Sequence, residues 1–283
     1  MRRALGLAAL ASLVAGCGGS GGSPSAPVIP AAKVYHLQGF QPAGSVKPGQ
    51  PVTVSFTVTQ PSGAPLVHYR TGPGPHTGVH LIIVRNDLSS IVHRHPPIGP
   101  DGQISERVVF PHPGPYRVLV DVYPQTKGSG YTNFQLFQTI HVVAGAYHPV
   151  ALPPYKPAVT TGGWTFTIKR LPKLHLAQAA LIDVSVRDAA GHPAEFTPWF
   201  GAMGHAIFFH EGDLAYFHTH ICAPNQAGCA SIGGPTSITG SSTKPGVMHV
   251  GVLLPETGTW RLFLQCKVDG QILTAPFTLK VTG

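Results

Sequence analysis

Residues 80–95 read HLIIVRNDLSSIVHRH: two short apolar runs rich in β-branched residues flank the turn-forming Asn86 and Asp87. One histidine precedes the first run and two close the second. Runs of this length and composition on either side of a turn signal predict a β-hairpin, not a helix. Residues 205–220, HAIFFHEGDLAYFHTH, repeat the arrangement, so the pattern H-x12-H-x-H occurs twice.

The duplication extends outward from the two hairpins. VSFTVTQPSGAP (54–65) matches IDVSVRDAAGHP (182–193), each an alternating strand that ends in a Gly and Pro turn. FPHPGPYRVLVDV (110–122) matches LPETGTWRLFLQC (254–266), aligning Gly114 with Gly258, Tyr116 with Trp260 and Arg117 with Arg261. The strands FQTIHVV and PFTLKV complete the two units. Units of about 100 residues with six or seven short strands predict an all-β chain of two tandem immunoglobulin-like antiparallel β-sandwich domains. Composition agrees, because 34 glycines and 29 prolines in 283 residues, with only 11% charged residues, suit turns and strands better than long helices. The expected organisation is a signal peptide (1–16), a tether (17–44), repeat one (45–145), a Pro/Gly-rich linker (146–162) and repeat two (163–283).

At the N-terminus, Arg2 and Arg3 precede the apolar stretch ALGLAALASLVAG. At about thirteen residues it has signal-peptide length and is too short to span a bilayer. LVAGC resembles the bacterial lipobox, which implies cleavage before Cys17 and a diacylglycerol on its thiol. The following GGSGGSPSAPVIPAA suits a tether that holds a domain off a membrane. The expected location is therefore the cell membrane, lipid-anchored and facing the extracytoplasmic side. The net charge of +8 is spread along the chain with no basic stripe interleaved with aromatics, which argues against nucleic acid as a partner. In an oxidising compartment Cys222 and Cys229, close together in a loop-like insertion of repeat two, are expected to form a disulfide. Such a bridge stabilises by roughly 2.5 kcal/mol. Cys266 is left unpaired and alternates with Leu262 and Leu264 as a small buried hydrophobe.

PWFGAMGHAIFFHEGDLAYFHTH together with GVHLIIVRNDLSSIVHRHP resembles a group of uncharacterised bacterial secreted lipoproteins, common in actinobacteria. They carry a similar histidine motif on a duplicated β-sandwich, and the likeness covers nearly the whole mature chain. A looser likeness is to periplasmic copper-handling sandwiches that use His and Met. Beyond the initiator this chain has only Met203 and Met248, which counts against a thioether Cu(I) site.

Hairpin geometry decides what the histidines can do together. A two-residue turn at Gly212 and Asp213 places His205 opposite His220, with His218 diagonal to it. A turn at Asn86 and Asp87 places His80 opposite His93, with His95 diagonal. Either register puts all three histidines on one face of the hairpin, whereas a three-residue turn moves the first to the other face. Three converging neutral imidazoles suit Zn(II) or Cu(II), and His76 and His249 are candidate extra ligands. Carboxylates are too few for a calcium or magnesium site. The competing reading is structural: strand-end histidines that bond backbone carbonyls at the rim of a metal-free interaction or scaffold module, or that form a pH-sensitive partner interface. Strands apolar on both faces (Leu81, Ile82, Ile83, Val84) mark the hairpin as central, its histidines partly buried. His36, His68, His112, His141, His148, His175, His192 and His210 read as surface or linker residues. An enzyme is not expected. Glu211 and Asp213 lie at the far turn, on the order of 10 Å from the histidines, and no hydrolase or phosphate-binding motif is present. The function expected is binding or buffering of copper or zinc at the cell envelope through a histidine triad in each repeat.

Overall fold

Alternation in the sequence becomes alternation in burial: Val54, Phe56 and Val58 are buried while the residues between them are partly exposed. The computed structural model describes residues 34–125, 133–229 and 238–283. The expected signal peptide, Cys17 and most of the tether fall outside these residues. Repeat one contains β1 (His36–Gln41), β2 (Pro51–Thr59), β3 (Val79–Arg85), β4 (Ile91–Arg94), β5 (Gln103–Val109), β6 (Gly114–Val122) and β7 (Phe134–Val142). They form two sheets, β1-β2-β5 and β4-β3-β6-β7, that enclose a core of Val54, Phe56, Leu81, Ile83, Val118 and Val120 among others. Repeat two contains β8 (Ala158–Thr161), β9 (Trp164–Arg170), β10 (Leu174–His175), β11 (Ala180–Arg187), β12 (Phe196–Thr197), β13 (Gly204–His210), β14 (Tyr216–Cys222), β15 (Gly240–Ser241), β16 (Val247–Val252), β17 (Gly258–Val268) and β18 (Gln271–Thr282). Here β15, contributed by the insertion, bridges β14 and β16, so the two layers run on as one sheet. All described secondary structure is β, and the architecture is a tandem immunoglobulin-like sandwich.

The aligned residues have matching jobs. Tyr116 donates its hydroxyl to the His112 carbonyl (3.0 Å) and Trp260 its indole N–H to the Glu256 carbonyl (3.1 Å), each four residues upstream, as in an immunoglobulin tyrosine corner. Gly114 (φ 130°) and Gly258 (φ 127°) need to be glycine, because a Cβ would stand 3.2 Å from Arg85 Nε and 2.5 Å from His210 Nε2. Those two side chains occupy equivalent positions. Arg85 donates to the Pro113 carbonyl and His210 to the Thr257 carbonyl.

Two expected boundaries shift. β1 lies within residues read as tether, because Tyr35, Leu37 and Phe40 pack against the repeat-one core. β8 lies within the linker and pairs with β9. The register of the first hairpin also differs from expectation: Ile82, not His80, stands opposite His93. Four residues separate the Arg85–Ser90 closing pair, with Leu88 in the left-handed region (φ 59°). In repeat two His205 stands opposite His220, around a four-residue loop with Leu214 at φ 62°.

Both leucines explain why these strands are apolar on both faces. Leu81 and Ile83 face their own core, while Ile82, Val84, Leu88 and Leu119 pack against Ile207, Phe209, Leu214 and Phe263 of repeat two. A non-glycine residue in the left-handed region costs about 1–2 kcal/mol. Burying a leucine returns about 1.5–3 kcal/mol, so the interface more than offsets the strained backbone. The second face of each hairpin is thus the contact between repeats, within the single compact unit Val34–Gly283.

Candidate metal centre

Both hairpins carry their histidines on the face that meets the other repeat, so the two triads converge into one cluster. Ring centroids of His93 and His205 lie 4.9 Å apart, His93 and His218 5.4 Å, His80 and His218 5.4 Å, and His80 and His220 5.8 Å. His76 joins through His220 at 4.7 Å. Two sets bring one ring nitrogen per residue within 4.8 Å of one another: His80, His93 and His218, and His205, His218 and His220. The first set crosses the repeat boundary and His218 belongs to both. The triad expected in repeat two is thus brought together within that repeat, whereas in repeat one His218 stands in the set where His95 was expected. His95 stacks on His80 at 3.9 Å and places its Nε2 3.2 Å from that of His93. His249 belongs to neither set, and its Nδ1 is held 2.7 Å from Asp183.

Hydrogen bonds fix which nitrogen of each ring is bare. His80 Nε2–H donates to the Pro75 carbonyl (2.7 Å) and His205 Nε2–H to the Trp199 carbonyl (2.9 Å). A carbonyl only accepts, so Nδ1 of both rings carries a lone pair: that of His80 is unpartnered, and that of His205 accepts from His218 Nε2–H at 3.3 Å. Gln265 donates its amide N–H to Thr274, which turns its carbonyl oxygen to His93 Nδ1–H at 3.1 Å and leaves His93 Nε2 as the acceptor of His95 Nε2–H. Among the described residues, His80 Nδ1, His218 Nδ1 and His220 Nε2 are buried without a hydrogen-bond partner. Burial, reinforced by the neighbouring imidazoles, holds His80, His93, His95, His218 and His220 well below the ordinary histidine range; burial alone is the main cause that lowers His205 to about 4. At neutral pH the cluster is therefore uncharged and its lone pairs are available for coordination.

Sequence reasoning missed Asp121. It sits on β6 directly beside His80, fully buried, and accepts from Asn133 (2.7 Å), Gln135 (2.9 Å), Tyr123 (3.2 Å) and Tyr216 (3.5 Å). Burial raises its pKa to about 6 against the pull of those donors. A carboxylate thus borders the cluster, where only distant Glu211 and Asp213 were expected. The signal was a single acid in the otherwise apolar VLVDV (118–122). His210, read as a scattered surface residue, instead anchors its loop through Asp213 (2.8 Å).

The Cys222–Cys229 disulfide (Cα–Cα 5.9 Å) closes a loop against repeat one. A Cβ on Gly74 would lie 2.4 Å from the Gly228 carbonyl carbon, and one on Gly201 2.3 Å from that of Gly74. Three glycines therefore let backbones from both repeats touch and wedge the loop that carries Pro75 and His76. Cys266 is buried, which pushes its thiol up to about 12.

Fold and site together define a tandem immunoglobulin-like protein with a histidine cluster buried between its two sandwiches. The chain belongs to the family described as Domain of unknown function (DUF8832), which matches residues 35–136 and 159–283. No curated protein matches it. Solved structures similar to it include the bacterial integrin-binding protein invasin (16% identity, 88% of this chain, TM-score 0.24), of which the chain spans 39%. Titin A168169 (10% identity, 88% of this chain and 99% of that one, TM-score 0.21) and the tandem Ig repeats of Dlar (8%, 87% and 94%, TM-score 0.21) are others. At TM-scores this low the likenesses carry no argument about function.

Proposed function

We propose that the histidine cluster binds a divalent transition ion, copper or zinc, and that the protein holds or buffers that ion at the cell envelope as a lipid-anchored protein. The observation that carries this reading is the fixed tautomers: His80, His93 and His205 each spend one N–H on a carbonyl oxygen and keep the other nitrogen as a lone-pair acceptor, which faces a neighbouring imidazole in His93 and His205. Outer partners of metal-bound histidines act in this way. All-imidazole ligation without thiolates suits Cu(II) or Zn(II), with copper favoured where both are present. The role is binding, not turnover. The rival is a metal-free scaffold in which the same carbonyl bonds serve only to pin the rim.

Elemental analysis decides between them. Tag-free protein exposed to Cu(II) or Zn(II) and desalted retains metal, and the His218→Ala variant, folded by circular dichroism, retains much less. A folded wild type that retains none establishes the scaffold reading. The anchor is tested separately: Cys17→Ala releases the protein from the membrane fraction, and a variant that stays bound refutes lipidation at Cys17.

A further inference from the structure

The duplication places a cavity on each flank of the cluster, and the two differ in charge. Register sets the equivalences: His80 pairs with Asp121, which pairs with Gln135, while His205 pairs with Gln265, which pairs with Thr274. The first cavity, of about 230 Å³, is bordered by His76, His218 and His220 of the cluster together with Asp121, Asn133 and Gln135. The second, of about 470 Å³, meets the cluster at His93 and is bordered by Gln265, Ile272, Thr274 and Arg94, with Trp199 and Phe200. Where the first has a carboxylate, the second has a neutral amide. Where the first has Thr219, the second has Arg94, whose guanidinium lies 3.5 Å from Glu106. Among the described residues that line the first cavity there is no lysine or arginine. Arg70, which acts electrostatically on Tyr123, is not one of them.

A divalent cation approaching the cluster meets opposite conditions on the two sides. Low-dielectric walls focus the field of a buried charge along a cleft and change association rates by about 10–1000-fold. Asp121 attracts the ion on one flank; on the other Arg94 is paired with Glu106 and no carboxylate is among the described residues that line the cavity. We infer that divalent ions enter and leave the cluster through the Asp121 cavity, with the buried charge of Asp121 drawing the hydrated ion in before His218 and His220 take it. A carboxylate has about four lone-pair positions, and the four donors around Asp121 occupy them, so it acts on the ion through its charge and not as a ligand. The ion exchanges water for imidazole nitrogen, with no change of oxidation state.

This inference rests on the metal-binding reading above, and stopped-flow uptake of Cu(II) and Zn(II) by the full chain separates the two. Asp121→Asn is expected to slow uptake at least tenfold while equilibrium affinity changes by a smaller factor. Gln135→Lys, which places a cation at the partly exposed edge of the same cavity, slows uptake to a similar extent and keeps the inference testable if Asp121→Asn fails to fold. Ile272→Lys, the corresponding charge at the other cavity and 41% exposed, leaves uptake within twofold. Uptake unchanged in both first-cavity variants overturns the inference, as does Ile272→Lys slowing uptake equally. Affinity lost in Asp121→Asn at an unchanged uptake rate also overturns it and makes Asp121 a ligand or a structural anchor. If the wild type takes up no metal, it is the metal reading itself that fails.

Discussion

His93 Nδ1 donates to the side-chain carbonyl of Gln265 across 3.1 Å, joining residues 172 positions apart in the chain. A ring in repeat one thus has its tautomer set by a strand of repeat two, and the lone pair is held on Nε2 only when both repeats are folded together.

Replacing Gln265 with Leu removes that lock at nearly constant volume. Affinity for Cu(II), read by competition with a chelator, is expected to fall about 10–100-fold, with the β-sheet circular dichroism retained. Equal affinity in the variant would show that the Gln265 bond does not orient a ligand.

Because His218 belongs to both nitrogen sets, the repeats do not bind independently. His205/His218/His220→Ala should remove essentially all metal binding measured by calorimetry, including what His80 and His93 contribute. Retention of half the wild-type stoichiometry at unchanged affinity would restore two separate sites.

Metal-free protein should lose stability as it is acidified. A histidine whose folded pKa lies below its unfolded value of about 6.5 leaves the unfolded state with more bound protons, so stability rises with pH across that interval. For His205 the interval runs from about 6.5 down to about 4 and is worth about 3 kcal/mol. His80, His93, His95, His218 and His220 act in the same direction. Asp121, raised to about 6, acts oppositely between its unfolded value near 3.8 and 6, one group against several. Melting temperature after chelator treatment should therefore drop steeply from pH 7 to pH 4. A flat profile would mean the rings are hydrated and protonate without cost.

At Gly74 (φ 95°) a methyl group meets the Gly228 backbone at 2.4 Å. Gly74→Ala is expected to destabilise by about 1–3 kcal/mol through strain and the displaced loop, lowering the midpoint of a denaturant titration. Metal affinity should fall with it, since the Pro75 carbonyl that fixes His80 moves. An unchanged midpoint would mean the two loops are not pressed together in solution.

The hairpins, the duplication and the common face of each histidine triad were legible in the sequence, because period-two alternation and turn residues encode local geometry. The register of the first hairpin was misread because Asn86-Asp87 has the chemistry of a two-residue turn, whereas buried Leu88 is drawn into the left-handed region by the opposite repeat. Carrying the repeat-two pairing across by the His80-to-His205 offset would have found it. That the triads face each other was not legible. Apolar residues on both faces of a strand report a second contact without saying what makes it, and here Phe209 and Phe263 lie far from Ile82 in the chain. His249 shares the spacing of a possible ligand but sits opposite Asp183 on the neighbouring strand, and a carboxylate that close claims the ring.

The disulfide closes the loop whose Gly228 braces Pro75 and His76, so thiol oxidation and ligand placement form one sequence of events. A chain with reduced Cys222 and Cys229 has a looser brace on the Pro75 carbonyl that holds His80. Mature coordination would then come late, after oxidative maturation, which would disfavour premature capture of metal in any thiol-rich compartment the polypeptide crosses on its way.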